Sequence, residues 1–598
     1  MNKPNIVFIL ADDLGWMDTA LYGSDYFETP NIDRLAERGT MFTNAYAANP
    51  LCSPTRASIQ TGQYPARLGF TTPSGHLPDE IMEARLAEEK LQPWHKAVSV
   101  QSITRLDLRY PTIGKMFKQA GYATGYMGKW HMGRDPYDAP QHGFDTVVGA
   151  GHWPSPTGTG YFYPGANKVC PGGEDGQHLD DYVTERAVDF IRDNRDHPFL
   201  AFLCLYDVHT PFQGKDDLTE KYRQKREPFS APQSCPVYGA MVEEVDICVG
   251  KIVDALEENG LTDNTLVIFF SDNGGDMYDK FEGNYATSNA PLRGGKANLY
   301  EGGFREPLVV VWPGNVPSGK TSDAFFNSAD LYPTFLDVAG IELPQGHPVD
   351  GISQKNVWLG QKESVTDEIF CYFANYSPRV GQLPGASLRR GDWKLIRFFH
   401  DNPDQTHRYE LFNLADDIGE TRNVAHRHPE LVADMDARIE AILEQTDATI
   451  PVKHEGYDPA ETEYEFQGWV NNGTLDNAEI TDTGLLLDPT SFGPYLVNTE
   501  IPACADDLVL SFTIQSDVAG TGQISWHEKG GPDRQLPEST YFAYDGENEF
   551  QTIECAFHSE KPVETLRLEP SRLPNPITVG EIVLETGDGE VVREWRFA

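Results

Sequence analysis

The stretch "PNIVFILADD", residues 4–13, decides the fold. Ile6 to Ala11 form an unbroken apolar run of strand length, which reads as a strand buried on both faces, and it ends in two carboxylates. The pattern returns in "PFLAFLCLYDVHTPF" (198–212) and "NTLVIFFSDNGG" (264–275). Amphipathic segments alternate with these runs: "TPNIDRLAERG" (29–39), "YPTIGKMFKQAG" (110–121), "ERAVDFIRDN" (185–194) and "VYGAMVEEVDICVGKIVDALEENG" (237–260). The alternation predicts an α/β domain with a mostly parallel sheet flanked by helices. Ligands of such sheets bind beyond the carboxyl ends of the strands. There the sequence places Asp12 and Asp13, Asp207 with His209, and Asp272 with Asn273.

A chain of 598 residues is too long for one core. We expect the α/β domain over 1–375. A small α+β subdomain over 376–450 is expected from "GASLRRGDWKLIRFF", "RYELFNLADD" and the helical "PELVADMDARIEAILEQTDA". A polar linker at 451–462 then leads to a β-sandwich module over 463–598, where only short β-type runs and turns remain.

The formal net charge of −43 argues against nucleic acid as a partner. An anionic substrate must therefore meet a local cationic pocket. No run approaches the roughly 18–20 apolar residues of a membrane span. "MNKPN" leaves no room for a signal-peptide n-region and h-region before the first strand. The protein is then cytoplasmic, or periplasmic or secreted if a leader has been removed. The eight cysteines show no zinc spacing. Cys204 and Cys248 read as core thiols, and Cys504 and Cys555 leave a disulfide open.

Asp12, Asp13, Asp272 and Asn273 offer hard oxygen ligands at one sheet edge, suited to Ca²⁺ or Mg²⁺ rather than zinc. Around them the sequence supplies Arg56, Lys129, His131, His209 and Lys296. Lys129 and His131 are two apart, so on a strand both point to one side. These residues together suit a tetrahedral anion. Cys52, in "NPLCSPTRASIQTGQYPARLG" (49–69), is the odd member, because a thiol is a poor ligand for a hard cation.

At this point the chain resembles the type I sulfatases of the alkaline phosphatase superfamily. Cys52, Pro54 and Arg56 match the family's C-x-P-x-R signature. "NIVFILADDLG", "GYMGKWHMG", "HTPF", "FFSDNGG" and "LRGGKANLYEGGFREPLVVVWPG" follow in the family's order, so the resemblance covers residues 4 to about 445. It implies an alkaline-phosphatase-like fold. It also implies that a formylglycine-generating enzyme oxidises Cys52 to Cα-formylglycine, whose hydrate replaces the soft thiol with a hard oxygen.

The resemblance further implies a calcium ion on Asp12, Asp13, Asp272, Asn273 and modified Cys52, with Mg²⁺ the lesser choice. A diol hydroxyl of modified Cys52 would attack sulfur in line. Arg56 and Lys129 would stabilise the diol. Lys296 and His209 would bind the sulfate and assist the leaving oxygen, and His131 would help expel sulfate as the aldehyde reforms.

The loop "GAGHWPSPTGTGYFYPG" (149–165) is similar to the substrate-facing loop of sulfatases acting on sugars. His152, Trp153 and Tyr161 would hydrogen-bond and stack on a pyranose, and Arg293 is a further candidate contact. We therefore expect an exo-acting sulfatase on a sulfated oligosaccharide or polysaccharide of galactose or N-acetylgalactosamine type. The alternatives are a broad aryl sulfatase or a phosphonate or phosphate ester hydrolase. A glycan-binding protein without activity fits poorly with a complete catalytic set. The oligomeric state stays open.

Overall fold

The structure is a computed structural model. It describes residues 3–597 except 89–90, 92–94, 157, 283, 378–379, 403, 458–468, 472–474, 482, 490–495, 499, 518, 529–537 and 571–575. The expected apolar runs form the middle of an eight-stranded sheet. Its strands are β1 (Asn5–Ala11), β2 (Thr40–Tyr46), β3 (Ala123–Gly128), β4 (Thr146–Val148), β5 (Phe199–Cys204), β6 (Thr265–Ser271), β7 (Leu308–Val311) and β8 (Lys320–Asn327). Their order across the sheet is β8-β2-β7-β6-β1-β5-β3-β4. All neighbours are parallel except those of β7, which runs antiparallel to β2 and β6.

The sheet is buried on both faces, as its unbroken apolar strands require. Val7, Ile9 and Ala11 of β1 face one core, and Ile6, Phe8 and Leu10 face the other. Helices α1 (Pro30–Glu37), α4 (Leu179–Asp193) and α5 (Pro236–Glu258) pack Leu35, Val183 and Val249 onto the first face. Helices α2 (Cys52–Thr61), α3 (Ile113–Gln119) and α6 (Leu331–Ala339) pack Ile59, Phe117 and Phe335 onto the second. Each such side chain contributes about 1.5–3 kcal/mol when fully buried.

A four-stranded antiparallel sheet follows: β9 (Glu368–Phe373), β10 (Gly385–Arg390), β11 (Trp393–Phe398) and β12 (Arg408–Asn413). Helix α7 (Pro429–Gln445) covers it through Met435, Ile439 and Leu443. Its first strand lies ahead of the expected boundary at 376. The chain divides into two compact units, and both of these sheets belong to the first. Within the expected linker, Val452–Lys453 pairs with Ala97–Val98, while 458–462 lie outside the described residues.

The second unit carries a five-stranded and a six-stranded antiparallel sheet, which share a core containing Trp469, Leu510, Trp526, Leu568 and Trp595. Cys504 and Cys555 do not pair, and all eight cysteines are free. Among the described residues no helix is long and apolar enough to cross a membrane.

Candidate active site

The site forms where β1, β3, β5 and β6 end. Asp12 leaves β1 with its N–H donating to the Asp207 carbonyl (3.0 Å), and Val208 N–H donates back to the Asp12 carbonyl (2.7 Å). Asp13 takes a left-handed backbone (φ 61°), its N–H donating to Asp272 Oδ1 at 3.2 Å. Asn273 Nδ2 donates to Asp13 Oδ1 at 2.8 Å. All four side chains are buried. Asp207, grouped with this rim in the sequence, contributes only its backbone. Its buried carboxyl lies 3.9 Å from His178 Nε2 instead.

Cys52 is the first residue of α2, so the positive end of that helix faces it. A ligand atom from each of Asp12, Cys52 and Asp272 lies within 4.8 Å of the others. Asn273 Oδ1 is buried and has no hydrogen-bond partner. An orphaned acceptor beside clustered carboxylates fits a hard cation, which would satisfy it. The thiol fits less well, for burial raises its pKa despite Lys129 and Lys296 nearby. A neutral thiol is neither a hard ligand nor a ready nucleophile.

Buried cations hold these acids in place. Arg56 Nε donates to Asp272 Oδ2 at 2.7 Å and its Nη1 to the Lys129 carbonyl at 2.7 Å. Lys129 lies beyond the end of β3, not on it, so strand alternation does not set its direction. Gly128 does: at φ 102° it turns the chain where a Cβ would sit 1.8 Å from the Cys204 carbonyl oxygen. His131 follows in a left-handed conformation (φ 55°), fully buried, its carbonyl accepting from Ser53 Oγ at 2.7 Å.

Lys296 Nζ donates to Asp13 Oδ2 at 2.6 Å and meets His209 Nε2 at 2.9 Å. An ammonium has only donors and a carbonyl only accepts, so this fixes the His209 tautomer. Nε2 accepts from Lys296, and Nδ1–H donates to the Thr210 carbonyl at 2.8 Å. Burial lowers His209 to about 4, so the ring is uncharged at neutral pH. Burial also opposes ionisation of Asp13, yet its cationic neighbours hold it well below the usual carboxylate range.

The loop residues divide. His152 stacks on Trp153 (4.6 Å between centroids), both half-buried, and follows Gly151, whose carbonyl accepts from His131 N–H at 3.4 Å. Tyr161 corrects the expectation of sugar stacking. It is fully buried, its hydroxyl 2.6 Å from the Tyr206 carbonyl and 2.7 Å from that of His209. Arg293 lies 3.6 Å over the Tyr300 ring and donates to the Glu420 carbonyl at 2.9 Å.

His76 was not expected. Its Nδ1 lies 3.0 Å from His131 Nε2. The only sequence signal is its place in the long, charged segment from Thr71 to Arg109 that follows the signature, and no spacing rule singles it out.

The fold agrees with that of solved relatives. The Sulfatase family model matches residues 4–341. This chain belongs to the sulfatase family. The model for N-sulphoglucosamine sulphohydrolase, C-terminal, matches 295–446. Human N-acetylgalactosamine-6-sulfatase is 34% identical over 380 residues, 58% of this chain and 65% of that protein. A sulfatase of Formosa agariphila is 31% identical over 493 residues, 71% of this chain and 85% of its own length. The crystal structure of Ps i-CgsB in complex with k-i-k-neocarrahexaose is 30% identical with a TM-score of 0.60, covering 74% of this chain and 93% of that one. The sulfatase family model spans every metal-ligand candidate and all five cationic candidates.

Proposed function

We propose that this sulfatase-family chain hydrolyses sulfate esters of a galactose- or N-acetylgalactosamine-type carbohydrate, using a formylglycine at position 52 and a calcium ion. The observation that carries the reading is the convergence of Asp12, Asp272 and residue 52 beside the orphaned Asn273 amide oxygen. Asp12, Asp13, Asp272, Asn273 and residue 52 would hold the ion. Bound there, calcium supplies Lewis-acid polarisation of a sulfate oxygen, and a formylglycine hydrate supplies a hard oxygen nucleophile.

The chain's own residues do the rest. Arg56 and Lys129 fix the orientations of Asp272 and Asp12. Lys296 gives one N–H to Asp13 and one to His209 Nε2, 2.9 Å from its Nζ, and would present its third to a charged sulfate oxygen. A leaving oxygen arriving there finds its proton in place. Asp12, Asp13, Asp272 and Lys129 are buried, and the lower dielectric there strengthens each of these interactions.

The sugar class is supported by the names of relatives: the human protein is an N-acetylgalactosamine-6-sulfatase, and Ps i-CgsB binds a neocarrahexaose. His152 and Trp153, which follow the Gly151 carbonyl bonded to His131 N–H, are the side chains to which this reading assigns the sugar ring. The test is sulfate released from sulfated galactose, N-acetylgalactosamine, fucose and uronate oligosaccharides and an aryl sulfate, with the alcohol released from a phosphonate monoester measured alongside. Cys52→Ala is the blank and peptide mass reports the aldehyde. Release from a galacto-configured sugar, lost in the blank, supports the reading. Turnover of the phosphonate alone, with the aldehyde present, overturns it.

A further inference from the structure

Gly75 and His76, which follow the signature, pack against His131. Gly75 passes so close that a Cβ there would sit 2.0 Å from the His131 carbonyl oxygen, so only glycine admits this approach. Ser74 Oγ ties the preceding turn to the Ile103 carbonyl at 2.7 Å. Arg134 clamps the His76 carbonyl from Nε and Nη2, at 3.0 and 2.7 Å. The segment is thus held from both sides of His76, and its half-buried ring lies against the fully buried ring of His131 (5.2 Å between centroids).

We propose that His76 is a positioning residue for His131: the His76 Nδ1–His131 Nε2 hydrogen bond fixes which nitrogen of His131 carries the proton and leaves Nδ1 to serve the reaction centre. Three observations support this. The two nitrogens are 3.0 Å apart, so one must bear a hydrogen and the other a lone pair. His131 Nδ1 is buried without a hydrogen-bond partner, which leaves it as the ring's open position. Lys129 and Arg56 both bear electrostatically on the His131 ring, placing it among the residues already assigned to the site. In an imidazole the bond made at one nitrogen sets the tautomer presented at the other. The proposal rests on the sulfatase reading for its chemistry, but the hydrogen bond and its effect on the tautomer do not.

The test uses the full-length chain, co-produced with a formylglycine-generating enzyme and labelled with ¹⁵N-histidine. Asn at position 76 places an amide near the Nδ1 position, whereas Gln places it near Nε2. His76→Asn is expected to keep the His131 tautomer and near-normal kcat. His76→Ala and His76→Gln should shift the His131 ring-nitrogen resonances and lower kcat by about tenfold or more, with KM held. An unchanged His131 tautomer in Ala and Gln overturns the proposal, as does a rise in KM with kcat intact, which would make His76 a substrate contact. If Ala does not fold, the Asn–Gln contrast decides. If the wild type, carrying the aldehyde, hydrolyses no ester, the functional reading fails, and the nitrogen resonances alone judge His76.

Discussion

Lys129 Nζ lies 2.8 Å from Asp12 Oδ1 and 2.7 Å from Oδ2, so one ammonium straddles the whole carboxylate that a metal ion would also claim. Both side chains are fully buried. Removing one partner of such a pair destabilises by about 3–5 kcal/mol, because the other charge stays buried alone. Lys129→Ala should lose stability of that order, and calcium should restore more of it than calcium adds to the wild type. Denaturant midpoints of both proteins, with and without calcium, check this. Equal calcium responses would refute the shared carboxylate.

Calcium should stabilise the wild type by about 2.7 kcal/mol at a hundredfold excess over its Kd, and a chelator should reverse the gain. Asn273→Asp keeps an oxygen at the orphaned position and should retain the response, whereas Asn273→Leu should lose it. A Leu variant that responds like the wild type would remove Asn273 from the ligand set.

Tyr161→Phe separates support from sugar contact. Its hydroxyl serves the carbonyls of Tyr206 and His209, so its loss should cost about 1–3 kcal/mol. Because His209 shifts with its backbone, kcat should fall while KM holds. A raised KM with normal kcat would return Tyr161 to the sugar.

A pH effect is expected from the buried cluster where Lys394 Nζ meets Glu301 (3.0 Å) and Glu420 (2.9 Å). Burial raises Glu420 to about 7 from its ordinary 4.5. Burial also works against Glu301, but Lys394, Arg389 and Arg305 together hold it at about 2. A raised acid stabilises most below its unfolded value, and that stability is lost as pH rises through the folded one. Glu420 therefore weakens the fold between about pH 4.5 and 7, while Glu301 supports it above 4.5 and stops doing so only as pH falls toward 2. Glu420→Gln should flatten the decline in melting temperature from pH 5 to 8. Parallel curves for the two proteins would show that Glu420 does not titrate there.

Much of this was legible because the acidic metal-ligand candidates follow strands that announce themselves. "NIVFILA" and "TLVIFFS" fix where Asp12 and Asp272 emerge, and parallel pairing at Ala11–Ser271 brings them together. What was not legible lies where the chain leaves regular structure. Lys129 and His131 reach the site through a glycine turn, not strand alternation. Tyr161 reads as a sugar platform in a loop of aromatics, yet two backbone carbonyls draw its hydroxyl inward. His76 meets His131 across 55 residues of sequence, a contact no local period encodes.

Every residue of α2, from Cys52 to Thr61, is buried. Any enzyme that rewrites residue 52 has to reach it while the chain is still extended, and folding then closes access. On the proposed conversion of residue 52, two molecules of identical sequence would part company within moments of synthesis, one matured and one not. The specific activity of a batch would then be a clock reading of how conversion raced against folding when those molecules were made.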